Sequence, residues 1–253
     1  MIFFLLAAAL FFIHIFWGPA GLDWHIIEAV RLPRALGAIT AGAGLALAGL
    51  ILQTIYRNPL ADPYVMGISG AAVLSSLGSY LLWRLLGMSY LGYFLGSLAG
   101  ALVASLALLW LARRATLLVV LLTGVLLAFF THALLNIALL FIPPEELGYI
   151  YLSLQGSFAA FPPGVLGWAV FMAVATVGAA AYLTARWISV YTHGEEAAAG
   201  LGVDVRLVNM LSVSMASLLT GLVVASVGPV GFLGLVAPHL GRWLAGSHRL
   251  DLA

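Results

Sequence analysis

The chain contains no cysteine and no lysine, and only 8% of its 253 residues are charged. Without cysteine it can form neither a disulfide framework nor a thiolate metal site. Without lysine it cannot carry a phosphate-binding loop of the Gly-Lys-Ser/Thr type, so any ATP that drives its activity must be hydrolysed by another polypeptide. The net charge of +1 leaves no basic footprint for nucleic acid.

Most of the chain is apolar, since 64% of its residues are hydrophobic. A helix of about 20 apolar residues crosses the hydrocarbon core of a bilayer. The sequence therefore predicts an all-α polytopic membrane protein, a multi-helix bundle with seven to eight spans. We predict spans at residues 2–17, 35–56, 64–83, 90–112, 117–141, 165–187 and 207–227, an interrupted apolar segment at 228–246, and a short helix within 147–158.

Two of these spans, 35–56 and 207–227, share an unusual pattern. Each is rich in small residues, which allow close approach of neighbouring helices, and each leads into a stretch broken by glycine and proline. The density of glycine in 35–56 predicts that this second span is central in its bundle. Five spans separate their starts, and an odd offset gives the two copies opposite orientations. This is the pattern of an inverted repeat in transporters.

The longest polar interruption runs from Arg186 to Arg206. Thr192 followed by Glu195 predicts a capping box, and Glu196 adds negative charge near the helix N-terminus. The helix formers that follow are Ala197, Ala198 and Ala199, and the residues that can end the helix are Gly200 and Gly202. A short polar helix outside the bilayer is suited to be gripped by a soluble partner, although a capped connector without a partner fits the same residues.

Few polar side chains lie within the predicted spans. His132 and Asn136 are four residues apart on one face of a helix and are candidates for a substrate pathway. A histidine hydrogen-bonded to a neighbouring helix is the alternative, and Gln53 is a weaker pathway candidate. For His239 a structural hydrogen bond is favoured over a metal ligand, because the histidines show no metal-site spacing.

The positions of the acidic residues bear on two other functional classes. All of the acidic residues fall in predicted loops. An ion-coupled secondary transporter normally places ionisable groups in the middle of the membrane, so the pattern argues against that class. A membrane-embedded enzyme needs a nucleophile–base pair or a metal constellation, and His132 has no intramembrane carboxylate to orient it. We predict no catalytic residue and no metal site.

The segment RLPRALGAITAGAGLALAGLILQTIYRNPLADPYVMGISGAA (residues 31–72) closely resembles the FecCD family of ABC-transporter permeases. The resemblance recurs at QGSF (155–158), GEEAAAGLGV (194–203) and GPVGFLGLVAPHLGR (228–242), and it covers roughly residues 20–250. It implies a permease for iron-siderophore, haem or cobalamin in a bacterial or archaeal inner membrane. It also implies a homodimer of subunits with about ten helices each, cytoplasmic ATPase subunits that hold the ATP and magnesium, and a periplasmic substrate-binding protein.

The resemblance also implies roles for individual residues. Glu196, Ala197 and Ala198 with Gly202 are similar to the pattern by which importer permeases bind their ATPases, which makes 191–205 a cytoplasmic coupling segment. Arg31 and Arg34 then lie on the periplasmic side, where they meet acidic residues of the binding protein. They are three residues apart, so in a helix they share one face and one carboxylate could bridge them.

The predicted orientation in the membrane rests on this resemblance. The arginines divide equally between the two sides, so the positive-inside rule does not favour either orientation. Family members continue for several helices after the segment that matches GFLGLVAPHLGR. We therefore expect residues 1–253 to form a single permease domain that is incomplete at its C-terminus.

Overall fold

The structure, a computed structural model, describes residues 2–18, 21–86, 90–112, 117–190 and 195–245, and within these ranges every regular element is helical. The helices are α1 (Ile2–Phe16), α2 (Trp24–Ile26), α3 (Leu32–Ile55), α4 (Ile68–Leu86), α5 (Tyr90–Ala112), α6 (Leu117–Leu139), α7 (Pro144–Leu154), α8 (Gly164–Val190), α9 (Glu195–Gly200), α10 (Val205–Val227) and α11 (Leu233–Ala245). A π-helical turn, Ile27–Arg31, joins α2 to α3, and a 3-10 turn, Phe158–Ala160, precedes α8. The all-α class predicted from the sequence is confirmed.

Five helical stretches in the described residues are long and apolar enough to cross a membrane. They are Trp24–Ile55, Phe94–Leu111, Val119–Leu139, Gly164–Val190 and Val205–Val227. Two shorter apolar helices, Leu6–Phe16 and Ile68–Leu82, bring the total to the lower end of the predicted range. The clearest departure from the predicted bounds is α4, which begins at Ile68 rather than at Tyr64, because the chain from 57 to 67 is not helical.

Small residues place α3 and α10 at the centre of the bundle. A β-carbon on Gly44 of α3 would lie 2.9 Å from a methyl carbon of Val223 in α10, so the Val223 side chain packs directly against the α3 backbone. The apolar windows of these spans are 61% and 78% buried, against 17% for α6 and 22% for α8. The sequence prediction that the second span is central is therefore confirmed.

The contacts along α3 fix the relative directions of the helices. Gly37, near the start of α3, packs against Phe161, which precedes α8. The Ser157 N–H, also before α8, donates to the carbonyl of Val227 at the end of α10 with a distance of 2.7 Å. The start of α3 therefore lies at the end of the bundle where α8 starts and α10 finishes. The helix α9, between α8 and α10, lies at the opposite end.

Candidate functional site

The non-helical segment 57–67 enters the bundle as far as the middle of a membrane span. A β-carbon on Gly67 would lie 2.7 Å from the backbone nitrogen of Ala128, and one on Gly124 would lie 3.0 Å from the Cα of Met66. Ala128 is the midpoint of α6 (Leu117–Leu139). Gly67 has a φ of 72°, a left-handed conformation that favours glycine at this close contact. The helix α4 therefore begins near the centre of the membrane.

The second break, residues 228–232, returns from the end of α10 into the same region. A β-carbon on Gly49 of α3 would lie 1.9 Å from the carbonyl oxygen of Gly234, so α11 begins in direct backbone contact with α3. The ring of Tyr64 lies beside Gly231, and its centroid is 6.0 Å from that of Phe232. The two breaks thus meet inside the bundle, as expected for half-helices of an inverted repeat.

Asp62 joins the two breaks. Its side chain is only 1% exposed, and its Oδ1 accepts hydrogen bonds from the N–H groups of Tyr64 at 2.8 Å and Val65 at 3.1 Å. Its Oδ2 also lies against the first turn of α11, since a β-carbon on Gly234 would be 2.6 Å from that oxygen. The helix dipole favours a negative charge at this end of a helix. One carboxylate therefore caps the turn that precedes α4 and packs against the start of α11.

This position corrects one inference from the sequence. Asp62 lies in a loop, as predicted, but the loop packs against Gly234 in the interior of the bundle, so the residue does not lie at an exposed end of it. The prolines of RNPLADP indicated a break correctly. The depth of the break depends on contacts with α6 and α11, which are distant in the sequence.

A second polar connection ties α11 to the end of α3. Gln53 is fully buried, and its Nε2 donates to the carbonyl of Gly234 at 3.2 Å. Its Oε1 accepts a hydrogen bond from Nη2 of Arg242 at 3.0 Å. His239 lies beside this network, with its Nδ1 3.1 Å from the carbonyl of Leu235. Gln53 therefore holds α11 in place rather than lining a pathway, and His239 makes the structural hydrogen bond that we expected.

The predicted pathway residues lie next to the breaks. His132 is exposed, and its ring centroid is 6.5 Å from that of Tyr64 in a T-shaped contact. Asn136 is also exposed on α6. Among the described residues, no hydrogen bond joins His132 to a neighbouring helix, so the structural alternative finds no support there. A cavity beside His132 is lined by Tyr64, Gly70, Val73, Thr131, Leu135, Leu154 and Pro229.

Sequence reasoning missed Tyr64 and Phe232 as candidate site residues. Phe232 is 60% exposed and has a φ of 61°, a conformation that costs a residue other than glycine on the order of 1 kcal/mol or more. The sequence GPVGFLG shows an aromatic residue at the break but not what that residue contacts. Its partner Tyr64 lies about 170 positions away in the chain, and no periodicity or motif spacing in the sequence links the two residues.

The two arginines at the start of α3 differ in their environment. Arg31 is 7% exposed, and its guanidinium donates to the carbonyls of Ile15 and Gly21, both at 2.9 Å. Arg34 is exposed. Because Arg31 ends the π-helical turn and points inward, the two side chains do not present one shared face, contrary to our expectation. Docking of a binding protein at this end stays a prediction, with Arg34 as its accessible member.

The predicted coupling segment is described in part. Thr192 lies outside the described residues, and so do the side chains of Glu195, Glu196 and Ala197, although their backbones from Glu195 onward are helical. The helix ends at Gly200, and Gly202 has a φ of 79°, so both glycines act where we predicted a stop.

Ala198 is fully buried within the chain, whereas Ala199, Gly200 and Gly202 are exposed and Leu201 is 72% exposed. Among the described side chains of 198–202, that of Ala198 thus packs against the bundle, while small residues and Leu201 face outward. The α9 helix lies at the end of the bundle opposite to Arg31 and Arg34, as separate docking and coupling sites require.

Comparisons with known proteins agree with this architecture. The chain is 34% identical over 237 residues to the ferric enterobactin transport system permease protein FepD of Escherichia coli, covering 91% of this chain and 69% of that protein. It is 32% identical over 242 residues to the hemin transport system permease protein HmuU of Yersinia pestis, covering 92% and 72%. The chain thus spans about two thirds to three quarters of the length of these relatives.

A solved structure gives the same result in three dimensions. It is an inward-facing conformation of a transporter assigned to the metal-chelate type of ABC transporter, and it matches with a TM-score of 0.83 and 28% identity over 98% of this chain and 82% of that chain. The family model described as the FecCD transport family matches residues 3–253. Since the match extends over nearly the whole sequence, the chain belongs to the FecCD transport family.

Proposed function

We propose that this chain is the membrane-spanning permease subunit of an ATP-driven importer that carries a metal chelate to the cytoplasm. The observation that carries the proposal is the meeting of two broken helices at the middle of a span, beside an exposed histidine on α6. Irregular backbone at membrane depth is tolerated only where it is buried in protein or lines a water-filled cavity. Relatives that transport ferric enterobactin and hemin support a metal chelate as the cargo.

The energy for transport comes from a partner in this proposal, because the chain has no lysine for a phosphate-binding loop. The ATPase binds α9 and the coupling segment around it, and it contacts Glu196, Gly202 and the exposed Leu201. Movement of α9 rocks the bundle as rigid units and opens the pathway alternately to its two sides. A substrate-binding protein docks at the opposite end, near Arg34, and a second copy of the permease completes the pathway.

The rival proposal, an ion-coupled transporter, would use Asp62 as its coupling group. The carboxylate is a poor candidate because two backbone N–H groups already bind one of its oxygens and the other oxygen packs against Gly234. A coupling carboxylate must bind and release its ion during each cycle, and losing these bonds would disrupt the turn that leads into α4. The contacts of Asp62 therefore favour a structural role over ion coupling.

Co-purification with the ATPase tests the proposed coupling. The Glu196→Lys variant should lose the ATPase, because it reverses a charge on the helix that the partner grips. The matched control is Glu145→Lys, which makes the same change on α7 at the opposite end of the bundle and should retain the ATPase. Equal retention by both variants would remove α9 from the coupling interface.

Transport itself is measured with the permease and its ATPase in proteoliposomes loaded with ATP. We expect accumulation of radioactive iron, supplied as a chelate with the binding protein, only when ATP is on the ATPase side. Accumulation that follows an imposed proton or sodium gradient without ATP would instead establish the ion-coupled alternative.

A further inference from the structure

Three aromatic rings from distant parts of the chain converge at the helix breaks. Tyr64 comes from the first break, Phe232 from the second and His132 from α6. The Tyr64 centroid is 6.0 Å from the Phe232 centroid and 6.5 Å from the centroid of the imidazole, and both distances are within the range of aromatic contacts. Tyr64 is half-buried between the two exposed rings. We call Tyr64, His132 and Phe232 the ring cluster.

The backbone at Phe232 is strained in a way that keeps its ring exposed. A φ of 61° would be comfortable for glycine, yet the position holds a phenylalanine whose side chain is 60% exposed. Little burial compensates for the strain in the free chain. Strain of this kind is typical of ligand-contacting positions, where a bound molecule provides the missing contact.

The surroundings of the ring cluster differ from a lipid-facing surface. Gly231 and Phe232 are exposed residues of a non-helical segment, and such backbone faces water or protein at membrane depth. The α6 side of the cluster carries the polar residues His132 and Asn136, both exposed. The nearby carboxylate of Asp62 is buried and bonded, so it adds no acidic surface. The accessible chemistry at the ring cluster is therefore aromatic and polar.

We propose that the ring cluster is a contact site for cargo with a flat conjugated ring, the catecholate part of a metal chelate. A flat ring stacks on Tyr64 and Phe232, while the imidazole of His132 contacts its edge or its polar substituents. Aliphatic chelates such as citrate offer no ring to stack, so the cluster discriminates against them. The inference rests on the proposed transport function and adds the cargo class to it.

Binding to the intact permease–ATPase complex in nanodiscs tests the site with two probes, iron(III) tris-catecholate and iron(III) citrate. Tyr64→Leu and Phe232→Leu should each weaken catecholate binding about 2- to 12-fold, the factor that corresponds to about 0.5–1.5 kcal/mol for one aromatic pair. Neither variant should alter the dissociation constant for citrate. Phe12→Leu, the same change at an exposed ring on α1, is the matched control and should bind both probes as the wild type does.

Two further variants separate loss of the ring from loss of the fold. Phe232→Gly removes the ring but suits the left-handed backbone, so it should fold and still show the weakened catecholate binding. Phe232→Tyr keeps a ring and should restore it. Unchanged catecholate binding in the leucine and glycine variants, or an equal loss for both probes, would overturn the ring cluster while leaving import intact. A wild-type complex that neither binds nor transports either probe would overturn the proposed function and this site with it.

Discussion

Replacement of Asp62 by alanine should destabilise the turn at which the two helix breaks meet. The substitution removes the acceptor of two backbone N–H groups, those of Tyr64 and Val65. Each buried donor left without a partner costs about 1–3 kcal/mol, so we expect a loss of roughly 2–6 kcal/mol in the free energy of unfolding. Such a loss is a large share of the stability of an ordinary domain, about 5–15 kcal/mol.

The assay is reversible unfolding in mixed micelles of increasing denaturing detergent, followed by the fluorescence of the seven tryptophans. The matched control is Asp204→Ala, because Asp204 is an exposed cap whose side chain accepts the Leu207 N–H at 3.0 Å. Loss of an exposed cap costs about 1 kcal/mol. Asp62→Asn keeps an acceptor of the same shape and should fall between the two. A loss for Asp62→Ala no greater than for the control would refute the role of this carboxylate at the helix breaks.

Two further predictions concern packing and the outer end of α3. Gly49→Ala should cost about 1–3 kcal/mol or more in the same unfolding assay, because its new methyl would lie 1.9 Å from the Gly234 carbonyl oxygen. Gly42→Ala, which meets nothing within 4 Å, should be neutral or slightly stabilising, and equal effects would contradict the close contact. Arg31→Met should raise hydrogen exchange in α1 and the following turn, since two main-chain carbonyls lose their donor. Arg34→Ala should leave exchange unchanged, and a reversed result would contradict the buried position of Arg31.

The spans were predictable because their physical cause is local. Apolar length decides whether a segment can cross the membrane, and the predicted span 90–112 matches α5 in both bounds. The end of α9 at Gly200 and the break at RNPLADP also follow from local backbone preferences. Small residues in the second span correctly indicated a central helix, because only close backbone approach explains so many glycines.

The centre of the site was not predictable from the same evidence. Asp62 looks like an ordinary turn residue until Gly234, far along the chain, packs against its carboxylate. The inward position of Arg31 depends on the carbonyls of Ile15 and Gly21, which accept its guanidinium and lie ten or more residues earlier in the chain. Both features arise from tertiary packing and leave no periodic pattern in the sequence.

The contact between Gly49 and Gly234 has a mechanical consequence. Backbone atoms of α11 occupy the space that a side chain on α3 would fill, so sliding of one helix along the other would drive a carbonyl into a neighbouring turn. We therefore expect the two helices to move as one rigid body.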